Sequence, residues 1–209
     1  TGVLHHLSDP DVGVQILSDS LSDKGGMHLM VYAEYGRAGV YQMQDLLARV
    51  NKETTTREEE LKNAWTIMNR LPPTNWYKRG QDLMCGGGLQ RLGDHLVFGD
   101  SGMYDMFLHK QDRAYTIPQI YEFVQKANLN FVEFNNIQNR IVLNIENHIE
   151  DVELLSHIKT FSVVEQQAIC ELLYGAVVMH DFSVSKRADT VANFADFDNV
   201  PYFFSVAGA

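Results

Sequence analysis

The chain has 209 residues, the length of one domain or one domain with an extension, with 45% apolar and 21% charged residues. That balance argues against disorder. A formal charge of -10 and a pI near 5.2 argue against a nucleic-acid backbone as the main partner, because no net cationic field is available to replace its counterions.

No apolar run reaches the length of a membrane span, and His5, His6, Asp9 and Asp11 interrupt the apolar N-terminal stretch, so no signal peptide is expected. The two cysteines, Cys85 and Cys170, are far apart and lack C-x-x-C spacing. Free, partly buried thiols in a reducing, cytoplasmic setting are the expectation.

In chain order, Asp9 is an N-cap residue and Pro10 suits the first helical position. Val12, Ile16, Leu17 and Leu21 fall on one face of the helix that follows, and Gly25-Gly26 turns the chain. Residues 27–33 are apolar at nearly every position, which predicts an interior parallel strand covered on both faces. Residues 36–93 break the strand–helix alternation and read as a helical insertion. It has helices over Val40 to Val50, from the acidic start Arg57-Glu58-Glu59-Glu60 to Leu71, and over Asn75 to Met84. Pro72-Pro73 stops the second of these helices, and Gly86-Gly87-Gly88 follows the third.

Thr116-Ile117-Pro118-Gln119 has capping-box spacing and opens a helix that ends near Ala127-Asn128. Residues 129–134 alternate as a strand. Ser162 starts a helix that Gly175 ends, and Val177 to Ser185 read as a strand. The aromatic tail from 187 to 209 is expected to pack on the core.

Several of these segments occur in an order that resembles a class I, Rossmann-like S-adenosylmethionine-dependent methyltransferase. They are Gly2-Val3-Leu4-His5-His6-Leu7 before Asp9-Pro10, the Gly25-Gly26 turn into Val31-Tyr32-Ala33-Glu34-Tyr35-Gly36-Arg37, and Asp112 to Ile120. Ala127-Asn128-Leu129, with Asn where family members usually carry Gly, completes the match.

The resemblance runs from Thr1 to about Phe134 and more loosely to Lys186. It implies an α/β fold: a truncated Rossmann-like methyltransferase sheet made of its late strands, including an antiparallel edge hairpin, with a helical insertion. Residues 27–33 take the place of the fifth strand, 129–134 the sixth and 177–185 the antiparallel seventh. Residues 1–35 then hold the end of strand four, a helix and strand five. Residues 36–93 are the insertion, 94–186 the late core, and 187–209 the tail.

The family's glycine-rich cofactor loop belongs upstream of the matched stretch, so the chain is expected to be a C-terminal portion, inactive alone. Gly86-Gly87-Gly88 follows a helix rather than a strand, a linker or turn context rather than a cofactor cradle.

By the same resemblance, His5 and His6 lie beside the S-adenosylmethionine site, or are strand-end histidines satisfied by backbone and solvent. Tyr32, Tyr35 and Arg37 follow the fifth strand at the carboxyl edge where such sheets bind ligands. There they hold a substrate or serve loop packing. His109 and Tyr115, with Asp105 and Asp112, form a second polar cluster. It is either substrate-binding, with His109 as a general base, or a helix-entry loop with solvated charges.

Eight histidines raise a metal-enzyme reading, but no metal-ligand spacing supports it. Adjacent strand residues point to opposite faces, so His5 and His6 are not expected to share an ion. The acidic run Glu146 to Glu153 reads as a solvated face.

The competing reading is a non-catalytic binding or assembly module. Without the early strands the strand at 27–33 becomes an edge, and such edges are usually paired or covered. A homo-oligomer, or docking on a missing N-terminal half, is therefore expected.

Overall fold

The structure, a computed structural model, describes residues 2–85, 94–109 and 111–190. Asp9 caps the first helix, α1 (Pro10–Ser20), its carboxylate accepting from the Val12 amide at 3.0 Å. Strand β1 (Gly26–Ala33) leads into helices α2 (Ala38–Val50), α3 (Arg57–Met68), α4 (Trp76–Cys85) and α5 (Asp94–Met103). A π-turn (Tyr104–Leu108) and the two-residue strand β2 (Ala114–Tyr115) follow. The capping box formed by Thr116 and Gln119 then starts α6 (Ile117–Lys126). Strand β3 (Asn130–Phe134), helices α7 (Ile137–Val142), α8 (Val152–Ile158) and α9 (Val163–Tyr174), and strand β4 (Met179–Ser185) complete the described chain. Gly175, at φ 66°, ends α9 in the left-handed conformation.

Among the described residues the strands form one mixed sheet in the order β2-β1-β4-β3. Strand β4 is antiparallel to both β1 and β3, and the short β2 runs parallel to β1 at Tyr32 and Ala33. The expected late antiparallel strand is therefore present, but in the interior of the sheet. It is joined to β3 through α7, α8 and α9 rather than by a hairpin turn.

Strand β1 differs from expectation too. Leu29, Val31 and Ala33 are buried while Gly26 and His28 are exposed, so one face is covered rather than both. Its principal neighbour is antiparallel.

Leu29 and Val31 of β1 and Phe182 and Val184 of β4 form one core with Ile120, Phe123 and Val124 of α6 and residues of α9. A second, methionine-rich core joins α2, α3, α4 and the end of α5 to the π-turn through Val40, Met43, Leu47, Ala64, Tyr77, Met103 and Met106. The insertion thus has a core of its own, built against Val178 and Met179 at the start of β4.

The face of α1 expected to be buried is the open one: Val12, Ile16 and Leu17 are exposed, and Val14 and Ser18 are buried. The reason is that the apolar stripe faces a groove beside β1 instead of the sheet. The Gly86-Gly87-Gly88 cluster and the aromatic tail beyond Thr190 lie outside the described residues.

Candidate functional site

Three separate stretches converge at the carboxyl end of β1. The first, Leu4–His6, forms a 3-10 turn rather than the end of a strand. Both histidines therefore lie on one side, with ring centroids 4.3 Å apart. The second is the end of β1 and the turn after it, carrying Tyr32, Tyr35 and Arg37. The third is the loop 109–113 before β2.

Backbone bonds tie the stretches together: the Arg113 amide donates to the His5 carbonyl at 3.0 Å, and the Glu34 amide to the Tyr115 carbonyl at 3.3 Å.

His5 is 1% exposed. Its ring lies 4.0 Å from that of Tyr32. Neither ring nitrogen makes a well-formed hydrogen bond, although the Met30 backbone lies close by. Burial, with the neighbouring His6 and Arg37 charges, pushes its pKa down to about 3, so the imidazole is neutral.

His6 donates its Nδ1–H to the Gln111 carbonyl at 2.9 Å, which leaves Nε2 as the basic nitrogen. His109 stacks on His6 with centroids 4.4 Å apart, and its Nδ1 accepts from the Gln111 amide at 3.2 Å. In neutral His109 the proton is therefore on Nε2.

Arg37 is an interior residue. Its guanidinium lies 3.5 Å over the Tyr32 ring and faces Asp112 at 3.6 Å, with both charged side chains at most 5% exposed. Gln44 donates to Asp112 Oδ2 at 3.1 Å and to the Met106 carbonyl at 2.8 Å. Tyr41 lies on the far side of Arg37, 5.8 Å from ring centroid to Cζ, and burial raises its phenol pKa. Tyr35 is exposed and lines a cleft of about 500 Å³ with Glu34, Tyr41 and Asp112.

Of the residues singled out in the sequence, His5, His6, Tyr32, Arg37 and His109 are brought together, and Tyr35 sits at the rim. Tyr115 is elsewhere. It is fully buried against Phe123, and burial pushes its phenol up to about 12. It is a core residue because β2 turns its side chain into the main core.

Gln44 and Tyr41 escaped sequence reasoning, because α2 reads there as an ordinary amphipathic helix. A second omission lies beneath the site. His180 and Glu171, both at most 1% exposed, pair at 2.9 Å. The Glu171 carboxylate also accepts from the Ile117 amide at the start of α6, 2.9 Å away. No periodicity marks a buried pair whose members come from a helix and a strand.

The imidazoles meet as rings, not as a ligand set. Among the described residues no group of three or more His, Cys, Asp or Glu side chains is arranged to hold a metal ion. No helix among them is long and apolar enough to cross a membrane.

No family model matches the chain. An uncharacterized protein of Synechococcus sp. is 31% identical over 136 residues, covering 65% of this chain and 31% of the relative. The structure is similar to that of PKMT2, a methyltransferase from Rickettsia typhi, with a TM-score of 0.58 and 12% identity over 88% of this chain and 33% of PKMT2. PKMT2 in complex with AdoHcy gives a TM-score of 0.59 at 13% identity, over 90% of this chain and 34% of that one. The chain has a methyltransferase-like α/β fold and spans about a third of the length of the proteins it matches.

Proposed function

We propose that these residues form the acceptor-side part of an S-adenosylmethionine-dependent methyltransferase and are inactive without the rest of the catalytic unit. The observation that carries this reading is the His5–His6–Tyr32–Arg37–His109 cluster at the carboxyl end of β1, in a fold similar to a protein seen with AdoHcy. Ligands bind at that end of such sheets.

The residues fit one flank of an S-adenosylmethionine site. The buried His5 imidazole is neutral, so it puts no positive charge behind the flank that would meet a sulfonium. His6 would line the cofactor, which supplies an electrophilic methyl group when bound, with His5 packed directly behind it. Among the described residues no glycine-rich turn follows a strand, so the phosphate-free cofactor's remaining contacts would come from residues outside this chain.

His6 Nε2 is the nitrogen able to take a proton from the acceptor. Neutral His109 presents Nε2–H and acts as a donor. Arg37 holds the Tyr32 ring and the loop bearing His109 in place, rather than meeting an acceptor from solution. Tyr35 is the exposed member placed to touch one.

The test is methyl transfer by the natural polypeptide carrying these residues. His6→Gln should lower kcat at least 100-fold with little change in KM, the usual size of a lost general base. Unaltered kcat would remove His6 from the chemistry.

A second reading, an assembly module, rests on a different observation. Beyond the two-residue pairing with β2, Gly26–Val31 have no strand on the side away from β4 among the described residues. Beside that edge lies a groove of about 620 Å³, lined by Val3, Leu4, Leu7, Ile16, Leu17 and Met30. The stretch has no Lys, Arg, Asp, Glu or Pro, the usual guards against pairing; its one titratable side chain, His28, pairs with Asp181 on β4. A second copy of the chain, or a segment that supplies the early strands, would cover it. Sedimentation should show a dimer that Ile16→Asp converts to monomer; a monomer of the parent chain at high concentration would count against self-pairing.

A further inference from the structure

Glu171 of α9 and His180 of β4 are buried, and nothing in the chemistry above uses them. Their side chains are committed to each other and to backbone. His180 Nε2 lies 2.9 Å from Glu171 Oε1 and 3.2 Å from the Tyr115 carbonyl. A carbonyl can only accept, so Nε2 carries the hydrogen. Glu171 Oε2 accepts from the Ile117 amide at 2.9 Å, one of the donors that the first turn of α6 leaves open.

The Tyr115 carbonyl is where this pair reaches the candidate site. It also accepts from the Glu34 amide at 3.3 Å. Strand β2 has two residues, so its pairing with β1 supplies few ladder bonds to hold that junction. Tyr35 is thus held from both sides: through the Glu34 amide, and through the Gly36 amide, which donates to the Val177 carbonyl at 3.1 Å. The second hold is backbone against backbone, since a Cβ on Gly36 would stand 2.1 Å from the Val177 oxygen. The first has a side-chain pair behind it.

We propose that Glu171 and His180 are positioning residues for the turn Glu34–Arg37: they fix the Tyr115 carbonyl that anchors Glu34, and so set where Tyr35 stands in its cleft. That Tyr35 meets an acceptor there rests on the methyltransferase reading; the anchoring does not.

Buried ionisable pairs are rarely the most stable way to fill a core, since apolar side chains of similar volume often serve as well. This pair instead satisfies the polar groups of the junction between β2 and α6. Its charge also reaches the turn: the Tyr35 phenol is raised above its ordinary value by burial first, then by the Glu171 and Glu34 carboxylates.

The test is NMR of the isotope-labelled 209-residue chain, without cofactor or acceptor. His180→Leu removes the donor to the Tyr115 carbonyl. It should speed hydrogen exchange at the Glu34 amide about tenfold, the size of one lost hydrogen bond, and leave the Gly36 amide unchanged. His180→Gln offers a side-chain N–H again and should restore most of the protection. Glu171→Gln keeps an oxygen for the Ile117 amide but removes the charge. It should move the Tyr35 ring titration down toward the ordinary phenol value, and it decides the matter if His180→Leu does not fold. Faster exchange at Glu34 and Gly36 together would mean that the pair only supports the core. Unchanged Glu34 exchange, or an unmoved Tyr35 titration in folded Glu171→Gln, would equally overturn the proposal. None of these readings involves methyl transfer, so their failure is separate from any failure of that activity.

Discussion

His5 makes the site sensitive to acid in a definite direction. Its folded pKa of about 3 is below the ordinary histidine value of 6.5, because burial disfavours the charged ring. Above pH 6.5 neither state holds the extra proton, and the folded state has its full stability. Between 6.5 and 3 the unfolded chain binds a proton that the folded chain refuses, so stability falls as pH falls, by at most about 1.4 kcal/mol per pH unit. Urea unfolding at pH 7 and pH 4.5 should show that loss, and His5→Gln should reduce it. An identical pH slope in the variant would mean that His5 is not buried neutral.

Asp112 is the other residue on which the cluster depends. Its carboxylate faces Arg37 and accepts from Gln44, so Asp112→Asn leaves a buried guanidinium without its counter-charge. Chemical denaturation should show a loss of about 3 kcal/mol. A change under about 0.5 kcal/mol would show that solvent already reaches the pair.

At the scale of elements, a joint between two of the insertion helices is made by glycine. A Cβ on Gly39, in the first turn of α2, would stand 2.5 Å from the Tyr77 backbone nitrogen at the start of α4. The two helices meet at a distance no larger residue allows. Gly39→Ala should therefore cost about 2 kcal/mol, read as a lowered Tm. An unchanged Tm would mean that α4 is not seated on α2.

This joint also shows what sequence could and could not convey. Capping signals at Asp9, Thr116 and Ser162 mark real helix starts, and the apolar runs mark β1, β3 and β4, because these are local effects. Strand β2, with two residues, is too short to leave a period. The interior position of β4 depends on pairings over about 150 residues, and no local pattern encodes them. In the site, the histidine pair and Tyr32-Arg37 were legible as motifs. Gln44 was not, since its bond to the Met106 carbonyl arises only when α2 packs beside the π-turn.

For the whole molecule, two cores meet at one sheet, and the candidate site lies at the carboxyl end of β1, where the turn into the insertion helices begins. Among the described residues, the same sheet leaves one side of β1 from Gly26 to Val31 without a neighbouring strand, beside an apolar groove. On the proposed function, the first feature is one flank of a cofactor site and the second an edge that a further strand would cover. The chain spans about a third of the length of the relative and of the structural neighbour it matches.

The most direct measurement is calorimetric titration of S-adenosylhomocysteine into the 209-residue chain and, separately, into the natural polypeptide that carries it. The prediction is micromolar binding by the natural polypeptide and none by the isolated chain. Micromolar binding by the chain alone would contradict the split site, and no binding by either would contradict the methyltransferase reading.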